Sequence, residues 1–281
     1  MIERLSLGRL TTGHPLLTIV PDQGPAPAIT DYSRFKHGDG ALSAVYGNML
    51  AEAFVPRALE SGTSHLAVTS SAFGFAPPAA HSLLAPFVSR ARQIAGRRIT
   101  FVPFHVVRSA ISDGDYALMG SAERVSTLSR QPLSVEPSAD LAGVPVVVLD
   151  DVRVTGAHEA WIESAIVRAG AREVSHLYLV DAYDLRREPD VESVLNRSGV
   201  LNLTDLVRLS HQRMFIPNAR VCKWVVSASQ QEQEDFVACA PIWVTDWILR
   251  AAHLDNLASY PAYRAGTARM VGMVDALPVP A

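Results

Sequence analysis

Val144-Pro145-Val146-Val147-Val148-Leu149 runs without a polar break into two adjacent carboxylates, Asp150 and Asp151, and Thr155-Gly156 follows shortly after. An unbroken apolar block of this length reads as a strand buried on both faces, which restricts the chain to folds that cover both sides of a parallel sheet. After Gly156, the positions Ala160, Trp161, Ile162, Ala165, Ile166 and Ala169 fall largely on one helical face, and Gly170 stands where helices stop. The order is therefore strand, acids, tight turn, helix. The first turn of such a helix has free N–H groups and the positive end of its dipole, which suits an anion. Gly156 lets the backbone approach that anion with no Cβ in the way, and Thr155 can cap the helix or donate its hydroxyl. The acids are placed to hold hydroxyl groups. The stretch addresses both halves of a phosphorylated sugar.

This pattern resembles the signature of the type I phosphoribosyltransferases: apolar residues, two acids, three variable residues, Thr-Gly, one residue, then Thr or Ser. The resemblance implies that Asp150 and Asp151 are the catalytic acids that hold the ribose hydroxyls of phosphoribosyl pyrophosphate. It implies that Val152, Arg153, Val154, Thr155, Gly156, Ala157 and His158 form the loop around the 5′-phosphate. His158 departs from the family's usual hydroxyl residue but can still donate to phosphate, and Val154 stands where many members have another Thr. Mg²⁺ is implied as a companion of the substrate, with Asp150 and Asp151 as the protein groups open to it. The loop after the first core strand contacts pyrophosphate in that family, which implicates Ser70, Ser71, Ala72, Phe73 and Gly74, and a long mobile loop at about 108–130 would close over the site. The string Ser33-Arg34-Phe35-Lys36-His37-Gly38-Asp39 is similar to a branch associated with bacterial tellurite-resistance stress operons.

The rival readings of an acidic strand end lack their partners. A Walker-B strand needs G-x-x-x-x-G-K-[ST], and no Gly-Lys pair occurs. Ser33-Arg34-Phe35-Lys36 matches S-x-x-K, but the companion S-D-N and K-T-G elements are missing. His158-Glu159 is not a zinc motif, because Ile162 stands where the second His is required. Arg34 and Lys36 precede a helix start and suit either a phosphate ligand or a solvated basic turn.

Composition limits the partners. Net charge is −3, which gives no global field for nucleic acid or an anionic membrane. No apolar run approaches about 18 residues and no signal-peptide pattern opens the chain, so the expectation is a cytoplasmic protein without membrane contact. Cys222 and Cys239 are too few for a zinc cluster or disulfide framework and read as reduced thiols. Basic residues are lopsided, 23 arginines against Lys36 and Lys223, which makes each retained lysine more informative.

Along the chain, residues 1–30 read as irregular with a short strand at 16–20, and a helix follows Asp39 with the stripe Leu42, Val45, Tyr46, Met49, Leu50, Ala53 and Phe54. Strands are expected at 65–70, 99–107, 144–149 and 174–180, with helices at 78–92 and 157–169. Residues 108–143 read as loop with a short helix near 119–128. Beyond 182, helices are expected at 190–197, 203–212 and after a Ser229/Glu232 capping box, and a strand at 219–227. Trp243 and Trp247, at helical spacing, read first as core, with base stacking as the alternative. The division is an N-terminal extension (1–60), a mainly parallel α/β core with helices on both faces (61–182), and a mostly helical hood (183–281). The resemblance implies a Mg²⁺-dependent phosphoribosyl transfer to or from a nitrogenous base or related acceptor, with the hood holding the acceptor. A non-catalytic sensor of the same ligand, salvage in the reverse direction, and a homodimer are left open.

Overall fold

The computed structural model describes residues 4–12, 17–22, 24–108, 133–188 and 190–275. Its centre is β7 (Pro145–Arg153), paired in parallel with β3 (His65–Ser70) on one side and β8 (Glu173–Asp181) on the other. Val147 and Leu149 face one apolar cluster together with Leu66 and Val68, while Val146 and Val148 face another with Ile162 and Ile166. This period-two division explains the unbroken apolar run: each face of the strand has its own core to fill. The strand does not stop at the acids. Because β8 continues to Asp181, Asp150 still pairs with Tyr178 and Val152 with Val180, so the carboxylates project from the sheet itself.

The six-stranded sheet has the order β2-β1-β8-β7-β3-β4, with β1 (Arg4–Thr12), β2 (Leu17–Pro21) and β4 (Thr100–Pro103) completing it; only the β1–β2 pair is antiparallel. β1 corrects the irregular reading of residues 1–30. A Cβ on Gly8 would lie 2.5 Å from the Ile19 side chain, so β2 folds back over β1 at a distance only glycine allows. α1 (Ile29–Lys36) and α2 (Gly40–Glu60) pack on the same core, α2 capped by Asp39, whose carboxylate accepts from the N–H groups of Ala41 and Leu42. β1 and β2 are thus strands of the central sheet, and α1 and α2 cover its core. The expected 78–92 helix begins as a 3-10 turn (Ala79–Leu83) before α3 (Leu84–Ala95).

The expected 99–107 strand is two. After β4 the chain turns at Phe104-His105 into β5 (Val106–Arg108), which pairs antiparallel with β6 (Leu133–Val135), a strand placed in the stretch expected to be loop. The helix expected near 119–128 and most of the expected closing loop lie outside the described residues. α4 (Ala157–Arg168) follows β7 as anticipated.

The C-terminal part is helical: α5 (Val191–Asn196), α6 (Leu203–Ser210), α7 (Ala219–Ser227), α8 (Gln230–Cys239), α9 (Ile242–Leu254) and α10 (Pro261–Asp275). α7 replaces the strand expected there. Its valines favour extended chain, but Val221, Cys222, Val225 and Val226 are the buried positions, a helical spacing, and Asn218 caps the first turn. The Ser229/Glu232 capping box is formed. Trp247 packs against the hood core, whereas Trp243 is half-exposed. Main-chain bonds join hood to sheet domain: Ala219 N–H to Pro77 O, Gly40 N–H to Met214 O and Ile216 N–H to Gly38 O, each 2.8 Å.

Candidate functional site

At the carboxyl end of β7 a cavity of about 210 Å³ is walled by Lys36 at the end of α1, Ser71, Ala72 and Pro78 after β3, Arg108 of β5, the run 150–156 with His158 and Glu159, Tyr178 of β8, and Glu192 of α5. The turn between strand and helix is tight because Gly156 adopts φ +75°, in the left-handed region. Gly156 is itself the N-cap of α4, and Thr155 Oγ accepts from Ala157 N–H at 3.3 Å. The first turn of α4 therefore opens onto the cavity, a geometry suited to an anion.

Each acid is held differently. Asp150 accepts from Ser71 Oγ at 2.8 Å, from Asp151 N–H at 2.9 Å and from His158 Nδ1 at 3.2 Å. Burial pushes its pKa up, but the hydrogen bond and charge of His158, with Ser71 and Lys36, outweigh that, and Asp150 stays ionised below the usual carboxylate range. Asp151 is buried against Lys36, with Nζ 2.5 Å from Oδ2. Burial raises its pKa despite the ammonium, and the neighbouring Asp150 charge adds to the rise. The pair thus consists of one carboxylate facing the cavity as an anion and one committed to an internal cation. Behind them Tyr32 is fully buried with its hydroxyl unpartnered. Burial first, and the Asp151 charge second, keep that phenol protonated.

The sequence candidates divide accordingly. Lys36, Ser71, Ala72, Asp150, Asp151, Val152, Arg153, Val154, Thr155, Gly156 and His158 converge on the cavity. Arg34 does not line it: its guanidinium bonds the α2 cap, Asp39, at 2.6 Å. Ser70 is buried and bonds His81, and Phe73 and Gly74 line a second, adjoining cavity. Ala157 lines neither, and gives its N–H to Thr155. Arg153 points its guanidinium at Glu159 (3.0 Å) and Asp181 (3.4 Å) and over the Tyr183 ring, which buttresses the turn from below.

Glu159, Tyr178 and Glu192 also line the cavity; Glu159 follows His158 in the first turn of α4 and reads in sequence only as a failed zinc pattern, while Tyr178 of β8 and Glu192 of α5 reach β7 through tertiary contact and carry no sequence signal. Glu159 receives Arg4 at 2.6 Å and the Tyr178 hydroxyl at 2.7 Å. Burial pushes Glu159 up, and those two hydrogen bonds bring it below its ordinary value.

For a divalent cation the donor sets are distinguishable. Glu159, Glu163 and His176 bring one ligand atom each within 4.8 Å of one another, but Glu159 already has Arg4, Arg153 and Tyr178 on its oxygens. Asp150 is the ionised carboxylate facing the main cavity. One carboxylate beside an anion cradle fits Mg²⁺ bound chiefly through phosphate oxygens and water.

A family model described as PRTase ComF-like matches residues 14–252. No curated protein sequence matches the chain. Among solved structures it is similar to a hypoxanthine phosphoribosyltransferase from Trypanosoma cruzi, at 10% identity over 53% of this chain and 70% of that one, with a TM-score of 0.37. A hypoxanthine phosphoribosyltransferase from Staphylococcus aureus shows 8% identity over 51% and 67%, with a TM-score of 0.35. Likeness at that level says nothing about the acceptor.

Proposed function

The chain belongs to the ComF-like phosphoribosyltransferase family, and from that premise we propose that it binds phosphoribosyl pyrophosphate with Mg²⁺ and transfers the phosphoribosyl group to or from a nitrogenous base or related acceptor. The observation that supports this reading is the convergence of ionised Asp150, the left-handed Gly156 turn, the first turn of α4 and the Lys36 ammonium on one cavity.

In this reading the 5′-phosphate sits against the amides after Gly156, and Asp150 accepts from a ribose hydroxyl. Two remote anchors then fix the reacting carbon between them. Cleavage of the bond between C1 and pyrophosphate leaves positive charge on the sugar, which the buried anionic field of Asp150 favours. Lys36 keeps Asp151 neutralised, so the site does not present two adjacent anions to a polyanionic substrate. Bound Mg²⁺ supplies charge neutralisation on pyrophosphate.

Pyrophosphate release, followed across a panel of bases, tests the proposal. Acceptor-dependent release that disappears in Asp150→Asn is expected. Saturable binding with no release from any acceptor would reassign the same cavity to ligand sensing, and neither binding nor release would remove the proposal altogether.

A further inference from the structure

Lys36 is the last residue of α1, a helix of only 8 residues, and helix ends are where the backbone frays. Its ammonium is nevertheless held on Asp151 in the cavity wall. The four carbonyls that such an end leaves without helical partners are all accounted for. Ser33 O accepts from His37 N–H at 3.2 Å, Arg34 O from Asp39 N–H at 3.1 Å, and Phe35 O from Gly38 N–H at 3.0 Å. The fourth, that of Lys36 itself, accepts from the Asn218 side chain of the hood, with Nδ2 3.2 Å away.

Asn218 is buried and uses both ends of one amide. Its Oδ1 accepts from the N–H groups of Arg220 at 3.0 Å and Val221 at 3.2 Å, which makes it the N-cap of α7. With Oδ1 turned to two N–H groups, Nδ2 faces away from the helix start, and the carbonyl it meets is that of Lys36. Serine, threonine or aspartate would start α7 about as well. None of them could stand at both ends, because aspartate has no proton to give and a hydroxyl on Cβ is too short to span the two. The next residue fixes the seat: Ala219 N–H donates to Pro77 O at 2.8 Å. The end of α1 and the start of α7 thus share one cap. Asn218 lines neither of the two cavities, so what it does for a ligand it does through Lys36.

We propose that Asn218 is a positioning residue: from the hood it fixes the Lys36 main chain and so holds the Lys36 ammonium on Asp151. The donor site of the sheet domain is then complete only with the hood seated on α1. This rests on the first cavity holding the phosphoribosyl donor. Cutting the link loosens the last turn of α1, and the cavity meets a polyanion with one fewer fixed positive charge.

The chain has only two lysines, Lys36 and Lys223, so labelling with ¹³Cε-lysine gives one signal from each, assigned with Lys223→Arg. The Lys36 ammonium can therefore be watched directly, without ligand. Spectra are compared for the full-length wild type, Asn218→Ser and Asn218→Asp, with circular dichroism to establish folding, and phosphoribosyl pyrophosphate with Mg²⁺ is titrated into each by calorimetry. Both variants keep a capping oxygen for α7. Both are expected to move the Lys36 signal toward that of an exposed lysine, to leave Lys223 in place, and to weaken the donor about tenfold. A Lys36 signal that stays put in a folded variant, or donor affinity that is unchanged where the signal has moved, overturns the inference. Loss of folding in both variants overturns it too, since the amide would then hold the fold rather than one side chain. A wild type that binds no donor overturns the parent reading instead, and the ligand-free Lys36 signal still decides whether Asn218 holds that ammonium.

Discussion

Lys36 and Asp151 bury opposite charges against one another, and removing one partner leaves the other uncompensated. Lys36→Met or Asp151→Asn should each cost about 3–5 kcal/mol, with a double variant of matched apolar shape recovering much of it. Urea unfolding midpoints of the three variants check this; singles that cost under about 1 kcal/mol would mean the pair is effectively solvated. Asp150→Asn should behave differently, because its partners Ser71 and the Asp151 N–H remain bonded to an amide oxygen. It should lose donor affinity with little loss of stability. Arg34→Ala should leave donor affinity unchanged, since Arg34 is engaged by Asp39 away from the cavity.

Histidines set the acid side of stability. Burial lowers the pKa of His81, His105 and His176, so the folded chain takes up protons on them less readily than the unfolded chain does. Their contribution is present above the unfolded value of about 6.5 and is lost as pH falls from there toward the lower folded values. Urea midpoints should therefore drop between pH 7.5 and 5.5. A flat profile over that window would contradict the buried neutral assignment.

At the scale of elements, local pattern revealed those that carry their own instructions. β7 is legible because burial on two faces demands an unbroken apolar run, and α4 because its stripe is bounded by Gly156 and Gly170. β1 is not, because its parallel pairing is with β8, far along the chain, and Arg9-Leu10 breaks the short alternation that Leu5, Ser6, Leu7 and Gly8 begin. α7 was obscured by valines whose extended preference is overridden by packing against the hood core. The site divides the same way. Its motif residues lie in one contiguous stretch and could be read, whereas Glu192 and Tyr178 reach it only through tertiary contact, and Glu159, although next to His158, shows its role only once Arg4 and Tyr178 are brought to it. Lys36 was visible as a cation near a helix start, but nothing local distinguished it from Arg34.

The turn supplies a prediction of its own. A Cβ at Gly156 would meet nothing closer than Arg153 at 3.9 Å, so Gly156→Ala is a conformational cost without a clash. A left-handed alanine should destabilise by about 1–2 kcal/mol and, by letting the turn relax, weaken every phosphorylated ligand. Denaturant unfolding together with inorganic phosphate titration checks both halves.

For the whole molecule, the hood from Val200 onward has its own apolar core, which takes in Ala76, while Val191 and Leu195 of α5 belong to the sheet-domain core; main-chain bonds and the Asp255 carboxylate on the amides of Phe75 and Ala76 join the two parts. That carboxylate ties the hood to the loop after β3, which lies between the two cavities. Asp255→Ala should speed hydrogen exchange at those two amides, with donor affinity little changed. Unchanged exchange at both amides would show instead that the loop is held without this carboxylate.

The central claim is that one cavity, built on Asp150 and the Gly156 turn, recognises a phosphoribosyl group. Calorimetric titration of phosphoribosyl pyrophosphate with Mg²⁺ into the wild-type chain, Asp150→Asn and Gly156→Ala tests it most directly. The account expects one saturable site per chain in the wild type, abolished in Asp150→Asn and weakened in Gly156→Ala, with inorganic phosphate still bound by Asp150→Asn. No heat from the wild type, or undiminished binding in Asp150→Asn, would contradict it.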